Sequence, residues 1–137
     1  MRISEVLRNK GVVVATLSPQ ASVDELVVLL KEKRIGAVVV SDDGETVSGI
    51  VSERDVVLAL ADHGEALMSR SIGEIMTTEV VSCEPDADLE ELLSVMTNRR
   101  FRHVPVLEDD KLSGIVSIGD LVKARIADLA YERDQLE

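Results

Sequence analysis

Apolar positions along the chain alternate between two periods. Val23, Leu26, Val27 and Leu30 recur at helical spacing and predict a helix ending near Arg34. Leu89, Leu92, Leu93 and Met96 predict another, ending near Arg100. Each is followed by two β-branched runs, "GAVVVS" and "TVSGIVS" in one case, "RHVPVL" and "LSGIVS" in the other. Asp43-Gly44 between the first pair is a common hairpin turn dipeptide. Pro105 inside "RHVPVL" predicts an edge position or an unpaired amide, because proline has no N–H to give a ladder. A further helix is predicted after each "GIVS", over "ERDVVLALAD" and "IGDLVKARIADLAYERDQ".

The two sets of elements are copies of one unit. Thr16 matches Ser82, Pro19 matches Pro85, Val38 matches Val104 and Val40 matches Val106, all 66 positions apart. "GIVSERDVV" and "GIVSIGDLV" match 65 positions apart, the offset changing after the corresponding polar stretches "SDDGE" and "EDDK". One residue gained or lost in a hairpin loop costs little. The predicted fold is therefore α/β, two pseudo-symmetric β-α-β-β-α repeats packed sheet to sheet. The first repeat covers residues 3–63 and the second 73–127, with a linker at 64–72 and a C-terminal helical extension at 128–137. "IGEIM" reads as one short helical turn. A unit of about 60 residues removes too little surface from water to be stable alone, so the copies are expected to share a core. A pseudo-twofold axis would then make two similar clefts, one for each Ser-x-x-Asp.

Composition narrows the chemistry. Phe101 and Tyr131 are the only Phe, Tyr or Trp residues, so the core must be aliphatic and no stacking platform for single-stranded nucleic acid is available. The net charge of −11 argues further against nucleic acid, whose phosphates are held by Lys and Arg. "MRISEVLRNKG" is too charged for a signal peptide, and no apolar run reaches membrane-spanning length. With a single cysteine, Cys83, no internal disulfide is available, which suits the cytoplasm.

The repeated motif places Ser52 with Asp55, and Ser117 with Asp120, where a strand hands over to a helix. S-x-x-D is a variant of the capping box, so each pair has a structural use. A helix N-terminus with a serine hydroxyl also suits a phosphate. An aspartate would repel that phosphate but can accept two hydrogen bonds from a ribose diol. Serine and aspartate on one turn are thus a grip for a ribose phosphate, compatible with capping.

"GIVSERD", "GIVSIGD", "RHVPV" and "IMTTEVVSCEPDADL", in this order, resemble a tandem pair of CBS (cystathionine β-synthase) domains over nearly all of residues 3–127. The chain is similar to small stand-alone bacterial CBS-pair proteins and to the regulatory insert of inosine monophosphate dehydrogenase. The resemblance implies a regulatory module that binds adenosine-containing ligands (AMP, ADP, ATP, NAD or S-adenosylmethionine) between the repeats and dimerises. It implies ribose contacts from Asp55 and Asp120, with Ser52 and Ser117 near the phosphate or ribose. Thr16 and Ser82 match a hydroxyl position that reaches the ligand, and the backbone around Val38 and Val104 would border the adenine. Val39 stands where the second copy has Pro105, so the two clefts need not be equivalent.

Arg54, beside Asp55, and Arg102, beside the proposed cleft, are candidate phosphate ligands. Arg99 and Arg100 suit a helix C-terminus. His103 reads as a strand residue. His63, His103 and Cys83 show no metal-binding spacing, and no nucleophile–histidine pair or paired carboxylates suggest catalysis. Val27–Leu30 and Val56–Ala61 are apolar beyond one face, which suggests helix packing between subunits. An amphipathic stripe through Leu121, Val122, Ile126, Leu129 and Ala130 could serve a homodimer or an effector protein. The expected function is non-enzymatic sensing of an adenine nucleotide. Its rivals are a purely structural dimerisation module and a small nucleotide enzyme.

Overall fold

The computed structural model describes residues 1–11 and 14–136. In chain order the elements are α1 (Ile3–Lys10), β1 (Thr16–Leu17), α2 (Val23–Lys33), β2 (Ala37–Val40), β3 (Gly49–Ser52), α3 (Glu53–His63), two 3₁₀ turns (Gly64–Ser69 and Ile72–Glu74), α4 (Leu89–Arg99), β4 (His103–Glu108), β5 (Lys111–Ser117) and α5 (Ile118–Leu136). They form an α/β fold with two small sheets, ordered β1-β2-β3 and β4-β5. One compact unit holds β1 to β3, α2, α3 and both 3₁₀ turns; the other holds α1, α4, β4, α5 and most of β5.

Each unit has its own aliphatic core, and the two cores match position for position. Val23, Leu26, Leu30, Val38, Val40 and Val51 are buried in the first. Leu89, Leu92, Met96, Val104, Val106 and Val116 occupy the corresponding places in the second. The matching helices are stopped alike. Arg34 and Arg100 follow α2 and α4 in the left-handed region, at φ 54° and 60°, as the periodicity predicted. Basic side chains there complement the helix dipole, and Arg99 also lies over the Phe101 ring, 5.1 Å from its centroid.

The lead-in to each repeat's first strand packs onto the other repeat's elements. The amides of Ile3 and Ser4 donate to the carbonyls of Ala87 and Pro85, at 3.0 and 2.8 Å. The amides of Ile72 and Gly73 donate to those of Ala21 and Pro19, at 2.8 and 3.0 Å. Ile3 and Ile72 are fully buried in their respective cores, and so is Leu67 from the stretch read as a linker. "ISEVL" and "IGEIM" are thus equivalent lead-ins, one grown into a two-turn helix and the other held to a 3₁₀ turn.

The sheets differ at one residue. β1 pairs in parallel with β2 through Thr16↔Val39 and Leu17↔Val40. The matching pairs are Ser82 with Pro105 and Cys83 with Val106, and only the Cys83–Val106 bridge forms. Pro105 has no proton to donate to the neighbouring segment, so a strand in the first copy contracts to a bridge in the second. The hairpins differ too. Asp109 and Asp110, at φ 52° and 63°, form a two-residue turn of the type that matches strand twist. In the first copy Asp43 organises a wider loop, its carboxylate accepting from the amides of Glu45 and Thr46 at 2.8 and 2.7 Å. α5 runs unbroken through the extension to Leu136; Glu137 lies outside the described residues.

Candidate ligand-binding site

Both Ser-x-x-Asp sequences fold as the strand-to-helix handover predicts. Ser52 keeps extended backbone, and its Oγ accepts from the Asp55 amide at 3.3 Å. Asp55 Oδ2 accepts from the Ser52 amide at 2.9 Å and from its hydroxyl at 3.1 Å. In the second repeat the Asp120 amide donates to Ser117 Oγ at 3.0 Å, and the Ser117 amide to Asp120 Oδ2 at 2.8 Å. Each is a reciprocal capping box, with aspartate in the place where glutamate is usual. The first helical amides, of Glu53 and Ile118, donate to the carbonyls of Gly36 and Arg102 at 3.0 and 2.8 Å. These bonds leave the second helical amide, of Arg54 or Gly119, and the second carboxylate oxygen, Oδ1, outside the cap. Serine and aspartate in both motifs are partly exposed.

The two ends are not electrostatically alike. Lys10, the last residue of α1, places its Nζ 2.7 Å from Asp120 Oδ2 and 2.9 Å from the carbonyl of Ile115. Burial alone would raise the Asp120 pKa. The hydrogen bonds from Lys10 and Ser117, with the ammonium charge, outweigh it and hold the group below its ordinary value. In the first repeat the carbonyl of Ile50, which matches Ile115, accepts instead from the Thr77 amide at 2.9 Å. Among the described residues no cation stands within ion-pair distance of Asp55.

The remaining candidates divide by element. Thr16 on β1, Val38 on β2 and Ser52 on β3 share one sheet, with Val38 opposite Val51 and Ser52 opposite Ala37. Val38 and Val104 are fully buried, so their side chains serve the cores and only their backbones could border a ligand. Pro105 is buried in β4, and its carbonyl accepts from the Cys83 amide at 3.1 Å. Ser82 is exposed just before that bridge. Arg102 is tied to the start of α5 by its backbone while its side chain is exposed, and Arg54 is exposed on α3. Lys10 was not legible from the motif. The signal that reaches it is the alignment of "ISEVLRNK" with "IGEIMTTE". Burial pushes the Cys83 thiol up to about 11, which makes it inert at neutral pH. Among the described residues no group of His, Cys, Asp and Glu could hold a metal ion.

Two capped helix starts, each following a "GIVS" strand segment and repeated with matching cores, define a paired-repeat module. Residues 3–62 and 72–127 each match the CBS domain, and the chain belongs to that family. A CBS-domain protein from Agrobacterium tumefaciens, ATU1752, superposes with a TM-score of 0.87 at 45% identity, over 91% of this chain and 99% of that one. The CBS domain-containing protein YhcV of Bacillus subtilis is 33% identical over 79% of this chain and 76% of its own length. The crystal structure of CBSX2 in complex with AMP has a TM-score of 0.74 at 26% identity, covering 92% of this chain and 96% of that chain. No helix among the described residues is long and apolar enough to cross a membrane.

Proposed function

We propose that the chain is a non-catalytic regulatory module that binds an adenosine-containing ligand, AMP, ADP, ATP or NAD, through its two Ser-x-x-Asp helix starts. Asp55 and Asp120 would read the ribose diol, with Ser52 and Ser117 beside the phosphate or ribose. Thr16, Ser82, Arg54 and Arg102 would add polar contacts, and the backbone at Val38, Val104 and Pro105 would border the base. One observation carries the reading: each aspartate spends only Oδ2 on its capping box, so capping and diol recognition do not compete for the same oxygen. The AMP complex of CBSX2 supports the ligand class.

Ligand would act by favouring one arrangement of a homodimer over another, which an effector protein in the cytoplasm would read. A purely structural role is the second reading, and the completeness of both boxes favours it. A thermal-shift panel of AMP, ADP, ATP, NAD, S-adenosylmethionine, IMP and GMP separates the two. A ligand at a hundred times its Kd stabilises by about 2.7 kcal/mol, a rise of roughly 3–6 °C for a domain of this size. No shift with any adenosine compound would leave the structural role.

A further inference from the structure

Lys10 and Thr77 do the same structural task with different chemistry. Each comes from a lead-in, and each donates to the carbonyl of the isoleucine in a "GIVS" strand, Ile115 or Ile50. Thr77 does so with its backbone amide and brings no charge. Lys10 does so with its ammonium and reaches onward to Asp120. In the aligned lead-ins "ISEVLRNK" and "IGEIMTTE", Lys10 stands against Glu79, a reversal of charge. A surface lysine that only needed a partner would gain little from this arrangement. Here one ammonium joins two acceptors at the helix start that carries the candidate ribose reader, with the Lys10 and Asp120 side chains only 35% and 26% exposed.

We propose that Lys10 is a specificity residue that gives the Asp120 end a stronger preference for phosphorylated over unphosphorylated adenosine ligands than the Asp55 end has. The inference rests on the adenosine-binding reading above. A carboxylate that holds a ribose diol also lies close to the 5′-phosphate and repels it. At roughly 6 Å, in the effective dielectric of a protein surface, that repulsion is worth a factor of order 10 to 100 in affinity. Lys10 cancels it at Asp120 without occupying Oδ1. At Asp55 no cation stands within ion-pair distance among the described residues, so its charge is not cancelled in this way and the preference for a phosphate is weaker there.

The test is calorimetric titration of the full chain with AMP and with adenosine, in an Asp55→Ala background so that the Asp120 end is read. Lys10→Met should reduce the preference for AMP over adenosine by about 10-fold or more, and Lys10→Arg should restore most of it. Raised ionic strength should shrink the effect in the parent and not in Lys10→Met. An equal loss for both ligands would reduce Lys10 to a residue that positions Asp120, and an unchanged ratio would remove it from recognition; either overturns the proposal and leaves adenosine binding intact. If the wild-type chain binds neither compound, the binding reading itself falls and the selectivity falls with it.

Discussion

Ser52 and Asp55 hydrogen-bond in both directions, the Asp55 amide donating to the Ser52 hydroxyl at 3.3 Å and the Ser52 amide to the Asp55 carboxylate at 2.9 Å. The pair therefore closes the start of α3 before any ligand is considered. Ser117 and Asp120 do the same for α5. Evolution of a binding function on this motif would need no new element, because the cap already holds a carboxylate rigidly at a helix N-terminus.

The glycine that opens each "GIVS" strand is explained by close approach rather than by backbone angle. A Cβ on Gly49 would stand 2.8 Å from the Thr77 carbonyl oxygen and 2.8 Å from Met76 Sδ. On Gly114 its nearest contacts would be with the Leu7 side chain, at 2.8 Å from Cδ2. Gly49→Ala should cost about 1–3 kcal/mol, because backbone has to move. Gly114→Ala should cost less, about 1 kcal/mol or under, because Leu7 has rotamers to try. Urea unfolding of both variants gives the comparison, and equal costs would contradict it.

The Asp109-Asp110 turn puts two carboxylates in left-handed backbone, at φ 52° and 63°, where glycine is preferred. Asp110→Gly removes both a Cβ penalty and a like charge. It should raise stability by about 0.5–1 kcal/mol, visible as a shifted denaturation midpoint with unchanged slope. A loss of stability would mean that Asp110 makes a contact worth more than its strain.

The repeat, the helix periods and both caps were legible because they depend on local spacing. Arg34 and Arg100 end their helices where the apolar stripe ends, and Ser52 and Ser117 cap where the strand signal stops. Pro105 announced a break in pairing, though the loss of a whole strand beside it depended on the register with Ser82. What spacing could not reveal was contact across long separations. Ile3 meets Ala87, and Lys10 meets Asp120, through folding of a lead-in onto the opposite repeat's elements. Leu67 and Ile72 sit in a polar-looking stretch, so their burial was hidden by composition.

The Lys10–Asp120 pair has a pH signature. The folded-state pKa of Asp120 is lowered from its ordinary value. Its stabilisation is therefore fully present above the unfolded-state pKa of about 3.9, and is lost as pH falls through the folded value. Unfolding measurements should find wild type more stable than Lys10→Met at pH 7, by no more than about 1 kcal/mol for a partly exposed pair. The gap should close as the pH falls through the lowered folded-state value. A gap that persists in acid would assign the effect to packing of the lysine stem.

Exposed apolar side chains on α3 and α5 fit the proposed homodimer. Val57, Leu58 and Leu60 are 64%, 56% and 47% exposed, and Ile126 is 63% exposed. Such surface is costly to leave in water when contiguous. Sedimentation at micromolar concentration should give twice the chain mass, and Leu58→Glu should give the monomer. A monomeric wild type would contradict the dimer.

A double cycle of protein and ligand decides whether the aspartates read ribose. Asp55→Ala and Asp120→Ala should each cost about 1 kcal/mol in stability, through the lost box. Each should weaken AMP at its own end by roughly 10- to 150-fold, the worth of a hydrogen bond to a charged acceptor. The same measurement with 2′-deoxy-AMP isolates the diol contact, because protein and ligand each lose one side of it. Wild type should bind 2′-deoxy-AMP poorly, and the aspartate variants should lose far less affinity for it than for AMP. If both nucleotides weaken by the same factor on mutation, Asp55 and Asp120 are helix caps alone and the ribose-reading account is wrong.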